Sequence, residues 1–203
     1  AEPVGTEGTV LFASVVLRPE GTVGDGAFQG FFGLTLNGTT GDDLFVGKPG
    51  GGDVGRYVVE TRGGVGQVAT AKDVVAGQAV RLVVRAEFGA SNDRFVLYVD
   101  PPADGPEPAT GAVKEDLDLG LVTAVGLYAT GAYLADEIRV GRTYAEVVAT
   151  LPLPPTLGAV FPDRVSPAGG TPVVVTGSGL HPTDEILVGG QLLEAQVWVS
   201  PTE

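Results

Sequence analysis

The chain of 203 residues has no cysteine, no methionine and a single histidine, His181. Without cysteine it forms no disulfide, no thiolate zinc site and no cysteine nucleophile. One histidine also excludes a zinc site built from several imidazoles. Long apolar runs are missing too, and none approaches the ~20 residues that a membrane-spanning helix needs. The sequence therefore predicts no membrane insertion.

Basic residues are scarce. The chain has 12 lysines and arginines against 25 aspartates and glutamates, which gives a formal net charge of -13 at pH 7. Proteins that bind nucleic acid use basic side chains to neutralise phosphates and release counterions. This chain lacks that driving force, so we expect no nucleic-acid partner.

Glycine and proline, in contrast, are abundant, with 32 and 15 residues. Short apolar runs lie between them, and their alternating pattern is typical of strands bounded by turns. Residues 9–18 are apolar on both faces, which predicts a central strand covered on both sides. Residues 80–88 and 94–99 alternate apolar with charged side chains, which predicts a hairpin with one wet face. Residues 56–61 alternate Tyr57 and Val59 with Arg56 and Glu60, which predicts a further strand.

About eight such strands precede residue 150, and they predict an all-β fold of the sandwich type. Asn37-Gly38 is a hairpin signal. Thr143 and Glu146 have capping-box spacing, which predicts a short helix that ends near residue 149.

The composition changes at residues 151–155, Leu-Pro-Leu-Pro-Pro. Three prolines in five residues favour a stiff, extended linker. We therefore divide the chain into a first β module (1–150), a proline-rich linker (151–155) and a second β module (156–203). Strands are expected in the second module at residues 158–161, 171–176, 185–188 and 196–199.

The first module resembles the concanavalin-A-like, laminin-G-like jelly rolls of bacterial surface and secreted proteins. The resemblance rests on residues 8–19, 44–49, 92–101 and the closing segment 136–147. It implies a jelly-roll sandwich and an extracellular or cell-surface location. Members usually have further strands before the point where this chain starts, so we expect the module to lack N-terminal strands.

The second module resembles the start of an IPT/TIG domain, an immunoglobulin-like sandwich, through residues 167–180 and 188–190. The later strands of that family are absent, so the resemblance implies a partial sandwich. About 50 residues bury too little surface to fold alone. The chain is then a fragment, or its tail is poorly ordered, or another chain completes the sheet by strand addition. Domain size favours the first explanation.

Acidic and amide side chains in loops are candidate calcium ligands, because Ca²⁺ takes six to eight oxygens. Related laminin-G-like folds often bind calcium at a sandwich rim, so the resemblance favours this use. Aspartate and asparagine are also common in turns for backbone reasons alone. The candidates are Asp42, Asp43, Asp53, Asn92, Asp93 and Asp136.

Aromatic side chains that stack on sugar rings are the usual sign of glycan binding. The amphipathic candidates are Tyr57, Tyr98, Tyr128, Tyr133 and Trp198. Tyr98 follows the polar phase of its strand, so we expect it to be exposed and to contact a ligand. Most aromatics in alternating runs nevertheless belong to a core.

No catalytic signature is present. Some jelly rolls hydrolyse β-glucans with paired carboxylates in an E-x-D-x-x-E pattern, which this chain lacks. The nearest match, residues 115–118, is interpreted as an acidic loop that runs into a strand. Gly50-Gly51-Gly52-Asp53-Val54-Gly55 matches a dinucleotide-binding pattern only in its letters, because a strand and not a helix follows it. It is interpreted as a glycine-rich turn. We therefore expect no enzyme.

Two functions remain. The leading hypothesis is a non-catalytic structural and adhesive surface protein that assembles with copies of itself or with other surface proteins. The alternative is a carbohydrate-binding module, calcium-dependent or not, of a larger secreted protein.

Overall fold

A computed structural model of the protein describes residues 4–20, 30–103, 105–149, 156–164, 166, 170–178, 187–188, 191–192 and 197. The chain forms two compact units, Ala1–Thr150 and Leu151–Glu203. Residues 151–155, the predicted linker, lie outside the described residues, as do His181, Trp198 and most of the predicted strand 196–199.

The first unit is a sandwich of two five-stranded antiparallel sheets. One sheet, here called sheet A, has the order β10-β1-β6-β7-β8, and the other, sheet B, has the order β5-β4-β3-β2-β9. The elements are β1 Val10–Pro19, β2 Phe32–Gly38, β3 Asp43–Lys48, β4 Arg56–Thr61, β5 Val65–Asp73, β6 Val80–Glu87, β7 Asp93–Val99, β8 Ala112–Leu117, β9 Val122–Ala129, β10 Tyr133–Gly141 and α1 Tyr144–Val148. The predicted all-β jelly-roll sandwich is confirmed.

Alternation along the strands produces the main core, because every second side chain points between the sheets. In β6, Val80, Leu82, Val84 and Ala86 are at most 2% exposed, and the following Phe88 packs with them. The inward face predicted for residues 80–88 is confirmed. The hairpin signalled by Asn37-Gly38 is also present, although β2 runs through Gly38 and the turn follows it.

The outer face of the β6–β7 hairpin is not wet throughout, and the prediction is wrong at Val83, Val96 and Tyr98, which are buried. Helix α1 packs on this face and forms a second core with β1, β6 and β7. Val83 and Val147 are fully buried there, and the buried Ser14 hydroxyl donates to the Val147 carbonyl at 2.8 Å. The prediction that β1 is covered on both sides is confirmed.

Helix α1 is anchored at both ends. At its start, the Glu146 carboxylate accepts hydrogen bonds from the backbone N–H of Thr143 at 3.1 Å and of Arg142 at 2.6 Å. These bonds lower the pKa of Glu146. At its end, Arg81 donates to the Val148 carbonyl at 2.6 Å and Arg139 donates to the Ala149 carbonyl. The predicted short helix is confirmed.

The second unit contains two antiparallel strand pairs among its described residues. Strand β11 (Thr156–Phe161) pairs with β12 (Val174–Ser178), and β13 (Leu187–Val188) pairs with β14 (Gln191–Leu192). The predicted strands 158–161, 171–176 and 185–188 overlap with β11, β12 and β13. No helix within the described parts of the chain is long and apolar enough to cross a membrane.

Candidate functional site

The outer face of sheet B carries a concave site that we call the groove. Its side chains follow from register, because directly opposed residues on neighbouring strands share a face. Glu60 lies opposite Phe45, and Phe45 lies opposite Thr35. Their chain neighbours Leu34, Leu36, Leu44, Val46 and Val59 belong to the core between the sheets. The row from Glu60 to Thr35 therefore faces away from the core.

The groove has a volume of about 570 Å³. That size lies within the range of small-molecule sites in proteins. Two glycine-rich turns, residues 50–52 and 63–64, form part of its wall. The side chains that line it are Phe31, Phe45, Glu60, Arg62, Gln67 and Tyr128.

Aromatic rings provide the apolar part of the groove. Tyr128 is 44% exposed, and its ring lies 4.8 Å from that of Phe31, centroid to centroid. Phe45 is buried, and its ring lies over Gly33, where a side chain would occupy the same space. Gly33 is in turn opposite Tyr128 on β9.

Gly33 makes this arrangement possible, and we expect its replacement by alanine to destabilise the protein. A Cβ atom there would lie 2.3 Å from the Val46 carbonyl oxygen and 2.8 Å from the Phe45 ring. Because the first clash is with backbone, we expect a loss of about 1–3 kcal/mol in the free energy of unfolding. Urea denaturation measures it. Gly55→Ala is the matched control, since a Cβ there meets nothing within 4 Å. Equal stabilities of the two variants would contradict the proposed crowding.

A hydrogen-bond chain fixes Arg62 beside Tyr128. The Thr35 hydroxyl donates to Asn37 Oδ1 at 3.2 Å, and Asn37 Nδ2 donates to Asp43 Oδ2 at 3.0 Å. Arg62 Nη2 pairs with the same Asp43 oxygen at 2.7 Å. The Arg62 guanidinium carbon then lies 5.3 Å from the Tyr128 ring centroid, within the range of a cation–π contact.

Gln67 fixes the other polar side of the groove. Its Nε2 atom donates to Glu60 Oε2 at 2.6 Å and to the Gly51 carbonyl at 3.0 Å. Its Oε1 atom accepts the Asp53 backbone N–H at 2.8 Å. Gln67 therefore ties the turn 50–52 to β4. Gly52 has a φ of +70°, and a Cβ there would lie 2.4 Å from Gln67 Oε1, so glycine is needed at this point of the turn.

Glu60 is 5% exposed, and burial raises its pKa above the usual value of 4.5, although the Gln67 hydrogen bond and the nearby Lys114 oppose the shift. Lys114 is itself buried. It donates to the carbonyls of Val65 and Gly66 at 3.2 Å and pairs with Asp116 at 2.5 Å. The Glu60 carboxyl is therefore an acceptor held in a partly desolvated place.

The raised pKa of Glu60 predicts a pH-dependent effect of Glu60→Gln on stability. Between its usual pKa and the raised one, the folded state binds more protons than the unfolded state, so this group's contribution falls as pH rises. The amide does not titrate. We therefore expect the stability of Glu60→Gln relative to wild type to increase as pH rises from about 4 through the raised pKa. Urea denaturation at several pH values measures the difference, and a constant difference would contradict the prediction.

The predicted ligand contact at Tyr98 is misplaced, because Tyr98 is buried and not exposed. It is 5% exposed and packs edge-on against Tyr144 in the second core, with 6.4 Å between ring centroids. Its hydroxyl donates to Glu107 Oε1 at 2.5 Å. Burial, followed by this bond, raises the pKa of Tyr98 to about 12. The helix that covers its strand face is the reason that the expected exposure is wrong.

Two of the calcium candidates are buried and are used by the fold. Asp43 accepts from Asn37 and Gly38 and pairs with Arg62. Asp93 is 2% exposed and accepts the backbone N–H groups of Leu119 at 2.8 Å and of Gly89 at 3.1 Å. Burial raises the pKa of Asp93.

The other calcium candidates are dispersed. Asn92 donates to the Glu115 carbonyl at 3.1 Å, and Asp136 Oδ1 accepts the Glu137 N–H at 2.7 Å. Asp42 is exposed, and Asp53 Oδ2 lies 3.8 Å from Arg56 Nε. Across the described ranges, no three acidic or histidine side chains come together in a way that could hold a metal ion. Calcium binding stays a prediction.

Sequence reasoning singled out Tyr128 but missed Phe31, Phe45, Arg62 and Gln67. It did place Glu60 on the face of β4 opposite to Tyr57 and Val59, and that alternation is the signal that points out of the core. The turn 50–52 was interpreted as a glycine-rich turn, and it is one.

Residues 155–203 match the model of the IPT/TIG domain. No curated protein matches the chain. Among solved structures, the chain is similar to a tetrameric galectin from the ball sponge Cinachyrella sp., with a TM-score of 0.40, 16% identity, and coverage of 71% of this chain and 96% of the galectin. It is also similar to a mutant of the GH43 protein BlXynB from Bacillus licheniformis, with a TM-score of 0.36, 17% identity, and coverage of 62% of this chain and 25% of that protein. These likenesses are too distant to carry an argument about function.

Proposed function

We propose that the first unit is a non-catalytic glycan-binding module of an extracellular, secreted or surface-attached protein. One observation carries the proposal: the groove on sheet B combines exposed aromatic surface with fixed polar groups. Tyr128 provides the aromatic surface, Arg62 provides donors, and Glu60 provides an acceptor. This is the combination by which sites orient a small polar ligand against an apolar wall.

We propose a binding function without catalysis, because glycosidases of the common type place two carboxylates on either side of the glycosidic bond that they cleave. Among the described residues that line the groove, Glu60 is the one carboxylate. The acidic residues 115–118 lie elsewhere and serve other partners: Glu115 pairs with Arg94 at 3.0 Å, and Asp116 pairs with Lys114. Residues 155–203 match the IPT/TIG domain, and we propose that this segment acts as a spacer.

Isothermal titration calorimetry of the whole chain against oligomers of glucose, galactose, mannose and xylose tests the proposal. We expect saturable binding to at least one series. Arg62→Ala should weaken it, because Arg62 lines the groove. Arg18→Ala is the control, since Arg18 is a similarly exposed arginine on β1 of sheet A, paired with Glu20. No binding to any series, or equal losses in both variants, would reject the groove as the site.

Adhesive self-assembly is a second candidate, favoured by one observation. Strand β10 is the edge of sheet A, and Leu134, Ile138 and Val140 on it are each at least 50% exposed. Edge strands with exposed apolar side chains are open to pairing with another chain. Light scattering after size-exclusion chromatography measures the mass. Discrete assemblies that Ile138→Lys disperses would support this role, and a monomer at all concentrations would reject it.

A further inference from the structure

We propose that the groove selects uncharged glycans and rejects their acidic counterparts, an inference that rests on the proposed function. It concerns the charge of the ligand. The observations that carry it are the ion pairs of the groove and of the residues behind it.

Arg62 is the one cation among the described residues that line the groove, and it has an acidic partner already. Asp43, 7% exposed, binds it at 2.7 Å and is held in place by Asn37. An acidic sugar that approached Arg62 would compete with a fixed, partly desolvated ion pair. Arg62 can still donate through its remaining N–H groups to neutral hydroxyl or ring oxygens, because a guanidinium has five donors.

Above its raised pKa, Glu60 adds a negative charge that is not offset within the groove. One carboxylate oxygen, Oε2, accepts from Gln67, and the other has no hydrogen-bond partner among the described residues. An ionised carboxylate only accepts, so its ligand must donate, as a sugar hydroxyl does. A ligand carboxylate or sulfate would instead place like charges side by side.

Lys114 does not reverse this balance. It is the cation behind Glu60, but its side chain is 0% exposed, and it pairs with Asp116 at 2.5 Å. Its remaining contacts, the carbonyls of Val65 and Gly66, are also satisfied at 3.2 Å. These contacts direct the Lys114 N–H donors to protein acceptors and not to a ligand in the groove. The local charges of Glu60, Asp43 and Arg62 therefore sum to a net negative site.

The charge of the chain acts in the same direction. The net charge of -13 produces a repulsive field for anions that extends over roughly the Debye length, about 8 Å at physiological salt. Like charges brought together in a binding site discriminate strongly against the wrong ligand. We expect each neutral oligosaccharide that binds to do so at least ~10-fold more tightly than its uronic acid counterpart.

The test uses matched pairs of oligomers: glucose with glucuronate, galactose with galacturonate, and mannose with mannuronate. Affinities are measured by calorimetry with the full chain. Glu60→Gln should raise the affinity for the uronates of the bound pair and so reduce the discrimination several-fold. Glu115→Gln is the matched control, because it removes the same charge from an exposed site on β8 of sheet A.

Salt provides a second measurement that needs no variant. Raising ionic strength from about 0.01 to 1 M shortens the Debye length from about 30 to about 3 Å. Uronate affinity should then rise toward that of the neutral oligomer, whose affinity should change little. The charge selection alone would be overturned if uronates bind as tightly as the neutral oligomers. It would also be overturned if Glu60→Gln and Glu115→Gln change the discrimination equally. Failure of every oligomer to bind would overturn the glycan-binding function together with it.

Discussion

Tyr128→Ala is expected to weaken glycan binding by about 30-fold or more. Tyr128 combines a 44% exposed ring with contacts to Phe31 and Arg62, so it is the aromatic side chain that the groove presents most openly. Truncating an aromatic anchor at the centre of a binding site typically costs at least about 2 kcal/mol. That loss corresponds to about 30-fold in affinity.

Calorimetry with the tightest-binding neutral oligomer measures this loss, and two other variants make it specific. Tyr128→Phe keeps the ring and should retain most of the affinity, which separates ring contact from hydroxyl bonding. Leu134→Ala truncates a 53% exposed apolar side chain on the edge strand β10 and should leave affinity unchanged. If Tyr128→Ala binds the oligomer as tightly as wild type, the Tyr128 ring does not contribute to the binding site.

Val147→Asp is expected to have the largest effect on stability. Val147 is fully buried on the inner side of helix α1, in the second core that also contains Phe12, Val83 and Val96. A carboxylate placed there has no partner of opposite charge among these apolar side chains. Burial of an unpaired charge is among the few mechanisms that cost several kcal/mol, and we expect about 3 kcal/mol or more.

Thermal unfolding measures this effect, and the loss corresponds to a decrease in Tm of roughly 6–12 °C for a unit of this size. Ala145→Asp is the matched control, since it introduces the same carboxylate at an exposed position in the first turn of the same helix. An acidic residue near a helix N-terminus is tolerated or mildly stabilising. Equal Tm values for the two variants would show that helix α1 is not part of the stable fold.

The strands that the sequence predicted well are those with a consistent burial pattern. Strand β4 was predicted at the residues where the structure has it, 56–61, because Tyr57 and Val59 alternate with Arg56 and Glu60. Strand β6 carried an equally clear signal. In each strand the core lies on one side, so the alternation of apolar and polar residues indicates which side chains point to the core.

Strands β5 and β8 were missed because neither shows a clear alternation of apolar and polar side chains. Each is the outermost strand at one end of its sheet. Strand β5 has exposed or half-buried side chains throughout and includes Gly66, so its pattern is weak. Strand β8 contains Lys114, Glu115 and Asp116, which suggested an acidic loop. Lys114 is buried because the neighbouring strand β5 supplies carbonyl oxygens, and that contact is not visible in the local sequence.

Composition and alternation by themselves determined the all-β class, the main core and the short capped helix, because each depends on residues close together in the chain. The tertiary structure decided the rest. Helix α1 covers the face of sheet A that carries Tyr98, which local alternation had assigned to solvent. The groove gathers Phe31, Phe45, Glu60, Arg62 and Tyr128 from distant segments. Tyr128 joins them because β9 pairs with β2, which is far from it in sequence, and register depends on the whole sheet rather than on any one segment.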